Sequence, residues 1–281
     1  MINSFKAEWR KLRQRPAVWV LGGIMLVALG LFGYLFTWLQ TSFPSPTFKP
    51  DGGLTVAQLK STLYPINFVK NSLGGVGIIG SILTLILGAL AVGSEFGWGT
   101  VKTVYTQRPG RLQTLAGQVA VTGVIVAIFA IAFYAVAALA SVVIALGDSQ
   151  AITWPAAIDI LKALGATWLI FESWTLFGMA LAFLFRQSAM AIGIGLAYVL
   201  AIEGILFRLL SGFDASWLNT LEKFFLGQNA NALTQSFGQV FARLNPTVPL
   251  VSAGQAVLVL IAYGVIFVAA ASLVVRARDV N

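Results

Sequence analysis

SEFGWGTVKTVYTQRPGRLQTLAGQ, residues 94–118, lies between two long apolar runs and breaks their pattern. It carries one acid, Glu95, three bases, Lys102, Arg108 and Arg111, and a proline, Pro109, among several glycines. The flanking runs cover roughly 74–93 and 115–146. Each reaches the ~20 apolar residues that a helix needs to cross about 30 Å of hydrocarbon. A polar stretch between two such runs is a connection outside the hydrocarbon, where its charges and backbone can be hydrated.

The rest of the chain follows the same rule. Of 281 residues, 58% are hydrophobic and only 10% are charged, against roughly 25% charged in soluble domains. The fold class is therefore all-α, a polytopic membrane protein with six transmembrane helices and an N-terminal interfacial amphipathic helix. Residues 1–16 form the interfacial helix and 17–281 the six-span domain. The expected spans are about 17–39, 74–93, 115–146, 158–185, 189–210 and 250–274. The third exceeds what a bilayer needs and must tilt or protrude. In the first helix Ile2, Phe5, Trp9 and Leu12 recur at helical spacing, and Lys6, Arg10, Lys11, Arg13 and Arg15 fill the other faces. Such a helix lies in the headgroup region, and Pro16 ends it. The basic start resembles a secretion signal, but the following apolar run is too long and lacks a clear small-residue cleavage site, so a retained span is expected.

Charge gives the orientation. Six spans put both termini on one side, together with the 94–118 connection. Of eighteen bases, eleven lie on that side: Lys6, Arg10, Lys11, Arg13, Arg15, Lys102, Arg108, Arg111, Arg186, Arg276 and Arg278. Only Glu8, Glu95 and Asp279 of the ten acids join them, so this side holds the whole net charge of +8. The positive-inside rule places it, with both termini, in the cytoplasm of a cell whose plasma membrane the chain spans. The same distribution explains the basic balance without nucleic acid. The connections 40–73 and 211–249 are then extracytoplasmic. In the second, Trp217, Leu221, Phe224 and Phe225 make one apolar stripe, and Leu233, Phe237, Val240, Phe241 and Leu244 make another, as expected of two short interfacial helices.

There is no cysteine and no histidine. Cysteine nucleophiles, disulfides, histidine-ligated metals and Ser-His dyads are excluded. There is no G-x-x-x-x-G-K-[ST] phosphate loop, and the dipeptide Gly-Lys does not occur. Energy for any transport must come from a partner or an ion gradient.

Within the 95–111 connection, Gly97 and Gly99 offer a chain reversal at the end of the second span. Thr100 can cap a helix over 100–107, and Arg108-Pro109-Gly110-Arg111 is a turn with a charge on each side. A short basic helix of this kind either only satisfies the orientation rule or is a docking knob for a cytoplasmic partner.

Here the chain resembles the permease subunits of ABC-2 type transporters. The resemblance rests on Glu95-Phe96-Gly97-Trp98-Gly99-Thr100 followed by Arg108-Pro109-Gly110-Arg111, and on the six-span layout, the basic amphipathic start and the long connection before the last span. It implies that 95–111 is a coupling segment entering a groove of a cytoplasmic ATP-binding subunit. Glu95, Gly97, Gly99, Thr100, Lys102, Arg108, Pro109 and Arg111 would carry that docking, with Glu95 anchoring the turn on a nearby base. It further implies ATP and Mg in the partner rather than a cofactor in this chain, membrane lipids around it, and a second permease copy, either identical or similar. Many family members have a lysine about seven residues after the Arg, where this chain has Gln118.

Charges also fall inside the expected spans. Glu172 is near the middle of the fourth, and Glu203 and Arg208 lie in the outer half of the fifth. A charge at the bilayer centre costs at least ~2.5–3.5 kcal/mol on insertion scales, so such groups face protein or water. They are either buried structural groups or the lining of a translocation cavity, with a proton site as a further role for Glu172. Lys162 is the expected partner from another helix for the fifth-span pair. An ion-coupled secondary transporter and a non-transporting sensor or scaffold are the alternatives to an ATP-driven exporter. No convincing internal repeat supports the first, and a catalytic set for a membrane enzyme is hard to assemble.

Overall fold

The computed structural model describes residues 2–50, 55–97, 110–206, 216–238 and 249–277. Among them there are helices and turns and no strand. Helix α1 (Ile2–Arg13) is followed by α2, Pro16–Ser42. Pro16 starts α2 because a first-turn residue has no intrahelical use for an N–H, and Arg15 before it is extended. A π-helical stretch over Leu29–Leu35 widens α2 in its middle. After α3 (Val56–Ser61), fixed by a reciprocal Thr55–Gln58 capping box, come α4 (Phe68–Gly75) and α5 (Ser81–Gly97). Then follow α6 (Arg111–Gly147), α7 (Ala157–Phe185) and α8 (Ser188–Ala197), which runs into a π-helix over Tyr198–Leu206. Two short helices, α9 (Ser216–Glu222) and α10 (Leu226–Gln235), precede α11 (Ala253–Ala277).

Five stretches are long and apolar enough to cross a membrane: α2, α6, α7, α8 with its continuation to Ile205, and α11. The second expected span, about 74–93, differs. Its continuous apolar helix is α5, 17 residues long. The chain reaches it through a π-helical segment, Val76–Gly80, in which Gly77 has the non-helical angles φ −48° and ψ −111°. Gly77 thus breaks this span, since backbone without a Cβ accepts such angles at little cost.

Contacts at the two ends give the alternation. At one end the Glu95 terminus of α5 meets α1 and α6, Gly93 abuts Ser188 at the start of α8, and Arg111 reaches Val275 at the end of α11. At the opposite end Lys60 and Tyr64 bind Asp148 after α6, and Phe68 meets Trp154 edge-on. Six apolar helices therefore run alternately up and down, with α1 and the end of α11 together at the Glu95 end.

The closest packing joins α5, α7 and α8. A Cβ at Gly88 would lie 1.9 Å from the Thr175 carbonyl oxygen, and one at Gly178 would lie 2.1 Å from that of Leu85. Gly195 of α8 takes the Leu85 side chain, and Gly80 takes the Phe171 ring. Between helices in lipid, association rests on such close van der Waals contact, for which small residues are required. Gly74, by contrast, has open space around it.

The connection after α8 also departs from expectation. Trp217, Leu221 and Phe224 are exposed, as the interfacial reading requires. Helix α10 is a further element that shares only Leu233 with the second expected stripe, and it faces inward, with Leu226, Ala230 and Leu233 in the main buried cluster. Val240, Phe241 and Leu244 lie outside the described residues.

Candidate coupling site

Glu95 sits two residues from the end of α5 and is 4% exposed. A carboxylate buried this far is tolerated only with charged and hydrogen-bonding partners. Lys11 of α1 supplies the first, forming ion pairs with both Glu95 and Glu8. The Gln118 amide of α6 donates to Glu95 Oε2 at 3.1 Å. Arg15 brings the second positive charge. Its Nη1 donates to the Ser94 hydroxyl at 2.7 Å and to the carbonyls of Leu90 and Ala91 at 3.1 and 3.3 Å. Burial lowers the Arg15 pKa from its ordinary value, and the charges of Glu95 and Glu8 oppose that shift. Two acids and two bases balance, which is the condition for keeping them out of water.

The sequence therefore folds three elements onto one side chain. Helical spacing puts Glu8, Lys11 and Leu12 on the inward side of α1, while Lys6, Arg10 and Arg13 remain exposed. Gly117 admits α1 closely, since a Cβ there would lie 3.1 Å from Ser4 Cβ. Gln118, one residue on, then reaches Glu95. Gln118 contributes an amide, and the ammonium comes from Lys11, 84 residues before Glu95.

Gly97 ends α5 in a helical position with open space around it. The chain reversal expected at Gly97 and Gly99 would continue into residues outside the described ones. Gly99, Thr100, Lys102, Arg108 and Pro109, and the expected helix over 100–107, lie outside the described residues. The far edge of the segment is Gly110, whose φ of +86° suits a residue without a Cβ. Arg111 follows as the first residue of α6, and its Nη1 donates to the Val275 carbonyl at 3.4 Å. The two edges of the segment are thus fastened to different elements: one to α1 and α6, the other to the end of α11. Sequence reasoning anticipated a base for Glu95 but neither its source in α1 nor the contact with α11. Both partners are far away in the chain, and no local spacing encodes them.

The in-membrane acids separate. Glu172 of α7 is 8% exposed and lies against α6 at Gly123, where a Cβ would be 3.6 Å from Oε1. Among the described residues no donor reaches its Oε2. Trp168, one turn earlier on α7, donates to the Gly123 carbonyl at 3.0 Å. Glu203 finds its partner in the Gly227 backbone N–H at 2.9 Å, in place of the expected Lys162. Arg208 lies outside the described residues. Among the described residues no cluster of three or more His, Cys, Asp or Glu could hold a metal ion.

Comparison with known families comes to the same architecture. A family model described as an ABC-2 family transporter protein matches residues 4–202, which include most of α1, the Glu95 cluster and Glu172, and end one residue before Glu203. No curated protein matches the chain at a significant level.

Proposed function

The chain belongs to the ABC-2 transporter family, and on that premise we propose that it is the permease of an ATP-driven exporter whose ATP is hydrolysed by a separate cytoplasmic subunit. It is a multi-pass membrane protein and a permease of ABC-type transport, a class that works with an ATP-binding subunit. The finer reading rests on one observation: the Glu95 cluster binds α1, α5 and α6 together immediately before segment 98–109.

In this reading the segment docks in the ATPase through Lys102, Arg108 and the backbone around Gly99 and Thr100, with Pro109 stiffening the exit. ATP and Mg bind in the partner, and closure of its two copies displaces the segment. Glu95 passes the displacement to α1 and α6, and Arg111 passes it to α11. Two permease copies, identical or similar, enclose the path, and Glu172 is the polar group offered to it from within the membrane. The basic end faces the cytoplasm of a cell whose plasma membrane holds the complex, and substrate moves outward. The missing phosphate loop agrees with this division of labour.

The test is co-purification from gently solubilised membranes with a tag after Asn281. A phosphate-loop ATPase should accompany the native chain and be lost with Lys102→Glu combined with Arg108→Glu. Arg111 is left intact because it contacts Val275. If the variant inserts and unfolds like the native chain, and neither sample carries an ATPase, the coupled-exporter reading fails. The sensor and secondary-transporter readings then replace it.

A further inference from the structure

The end of the bundle opposite Glu95 is covered by α10, and the contact that holds it is unusual in origin. Phe225, the residue that precedes α10, is extended and supplies no side-chain cap. The first N–H groups of a helix have no intrahelical acceptor and carry the positive end of its dipole. Here the acceptor comes from another helix. Glu203 Oε1 takes the Gly227 N–H at 2.9 Å, across 24 residues. Tyr198, one turn earlier on the same π-helical stretch, stacks on Phe225 with ring planes 13° apart. From α11, the Tyr263 hydroxyl donates to the Phe224 carbonyl at 2.9 Å. Asn229 fastens the turn internally by donating to the carbonyls of Lys223 and Phe225.

Gly227 identifies the carboxylate as the organising group. Its φ lies outside the left-handed region, so its backbone conformation is open to any residue. The space is not: a Cβ would lie 1.6 Å from Glu203 Oε2. Glycine stands there to admit the carboxylate. An acid in an apolar span is costly to insert, and no base is needed to hold it when a helix N-terminus supplies the donor and the favourable field.

We propose that Glu203 is a latch: presented by the wall helix that continues α8, it caps α10 from outside and holds that helix closed over the bundle. Releasing the carboxylate frees α10 at its first turn, while Tyr263 keeps the preceding turn attached to α11, so α10 swings instead of detaching. The inference concerns the end remote from the Glu95 cluster and does not depend on the ATPase partner.

The chain has no cysteine, so a single introduced thiol reports unambiguously. Ala230→Cys places it on the buried face of α10, where Ala230 is 5% exposed. The full-length protein in lipid nanodiscs is treated with a charged maleimide, and the labelling rate is followed by mass. In the otherwise native chain labelling is slow. Adding Glu203→Ala should speed it by about tenfold or more, the scale of losing a hydrogen bond to a charged group. Gly227→Ala attacks the same contact from the α10 side, leaves the wall helix untouched and should have the same effect. Glu203→Gln keeps an acceptor and should remain within about threefold of the native rate. A thiol at exposed Trp217 serves as the control, and its rate should be equal in all backgrounds. Unchanged labelling at residue 230 in both Glu203→Ala and Gly227→Ala would overturn the latch. So would equal acceleration at 217, which would mean general loosening.

Discussion

Lys11→Met is the most informative single change, because it removes one ammonium from between two buried carboxylates. Glu8 and Glu95 are 2% and 4% exposed, and Lys11 pairs with both. Methionine keeps the length and apolar stem of lysine, so packing is nearly preserved and the charge is the variable. Arg15 and the Gln118 amide are left to hold two negative groups. Removing one partner of a buried pair costs about 3–5 kcal/mol. The side chain of Lys11 is 27% exposed, so water screens part of the loss and roughly 2–3 kcal/mol is expected. At about 2–4 °C per kcal/mol for a chain of this size, thermal unfolding of the purified protein should move down by roughly 4–12 °C. The discriminating measurement is the double variant. Adding Glu95→Gln removes one of the two stranded carboxylates and lets an amide replace it beside Gln118. Lys11→Met with Glu95→Gln should therefore unfold higher than Lys11→Met alone, and the two substitutions should be strongly non-additive. If Lys11→Met shifts unfolding by less than about 2 °C, or if the pair is additive, the cluster is not what ties α1 to α5, and the transmission argument loses its anchor.

Other expectations follow from separate contacts. Gly178→Ala forces a Cβ to within 2.1 Å of the Leu85 carbonyl oxygen and should destabilise by about 1–3 kcal/mol or more, read as lost folded yield or a lower unfolding temperature. Gly23→Ala meets nothing within 4 Å and should be neutral or slightly stabilising. Trp168→Phe removes the bond to the Gly123 carbonyl at a cost of about 1 kcal/mol, and a loss of more than a few degrees in the unfolding temperature would show that the ring does more than hydrogen-bond. Tyr64 has its pKa raised, first by burial and then by the negative charge of Asp148, to whose carboxylate it donates. A raised native pKa gives stability that is complete below the unfolded value near 10 and is lost as pH climbs through the native value. Tyr64→Phe should therefore flatten the alkaline limb of the unfolding-temperature profile and leave neutral pH nearly unchanged, and an unaltered alkaline limb would assign it to other groups.

The spans were legible because a bilayer imposes a length that soluble packing does not. Runs ending at Pro16, Trp154-Pro155 and Arg186 mark helix boundaries that the structure places within a few residues. Less legible was α5, whose entry depends on non-helical angles at Gly77. A glycine that packs and a glycine that kinks look the same in a sequence, and Gly74, Gly77, Gly80 and Gly88 behave differently for reasons set by neighbours on other helices. Helix α10 has no counterpart among the expected elements because its buried stripe is made partly of small residues, Gly227, Ala230 and Ala232, beside the louder aromatics of 217–225. The acid Glu95 and the glycine Gly110 could be read locally, and the distant partners of Glu95 and Glu203 could not. A pair separated by 84 residues is fixed by which helices pack together, and local periodicity is silent on that.

One dimension has a mechanical consequence. Helix α6 runs 37 residues without interruption from Arg111 to Gly147, a rod of about 55 Å at 1.5 Å per residue. It begins where the segment after Glu95 ends and finishes beside Asp148, which Lys60 and Tyr64 grip at the far end. Pivoted near its start, such a rod carries its tip through roughly 5 Å for about 5° of rotation. It works as a gear of high ratio: a rearrangement smaller than a water molecule at its base becomes a displacement wider than one at its tip.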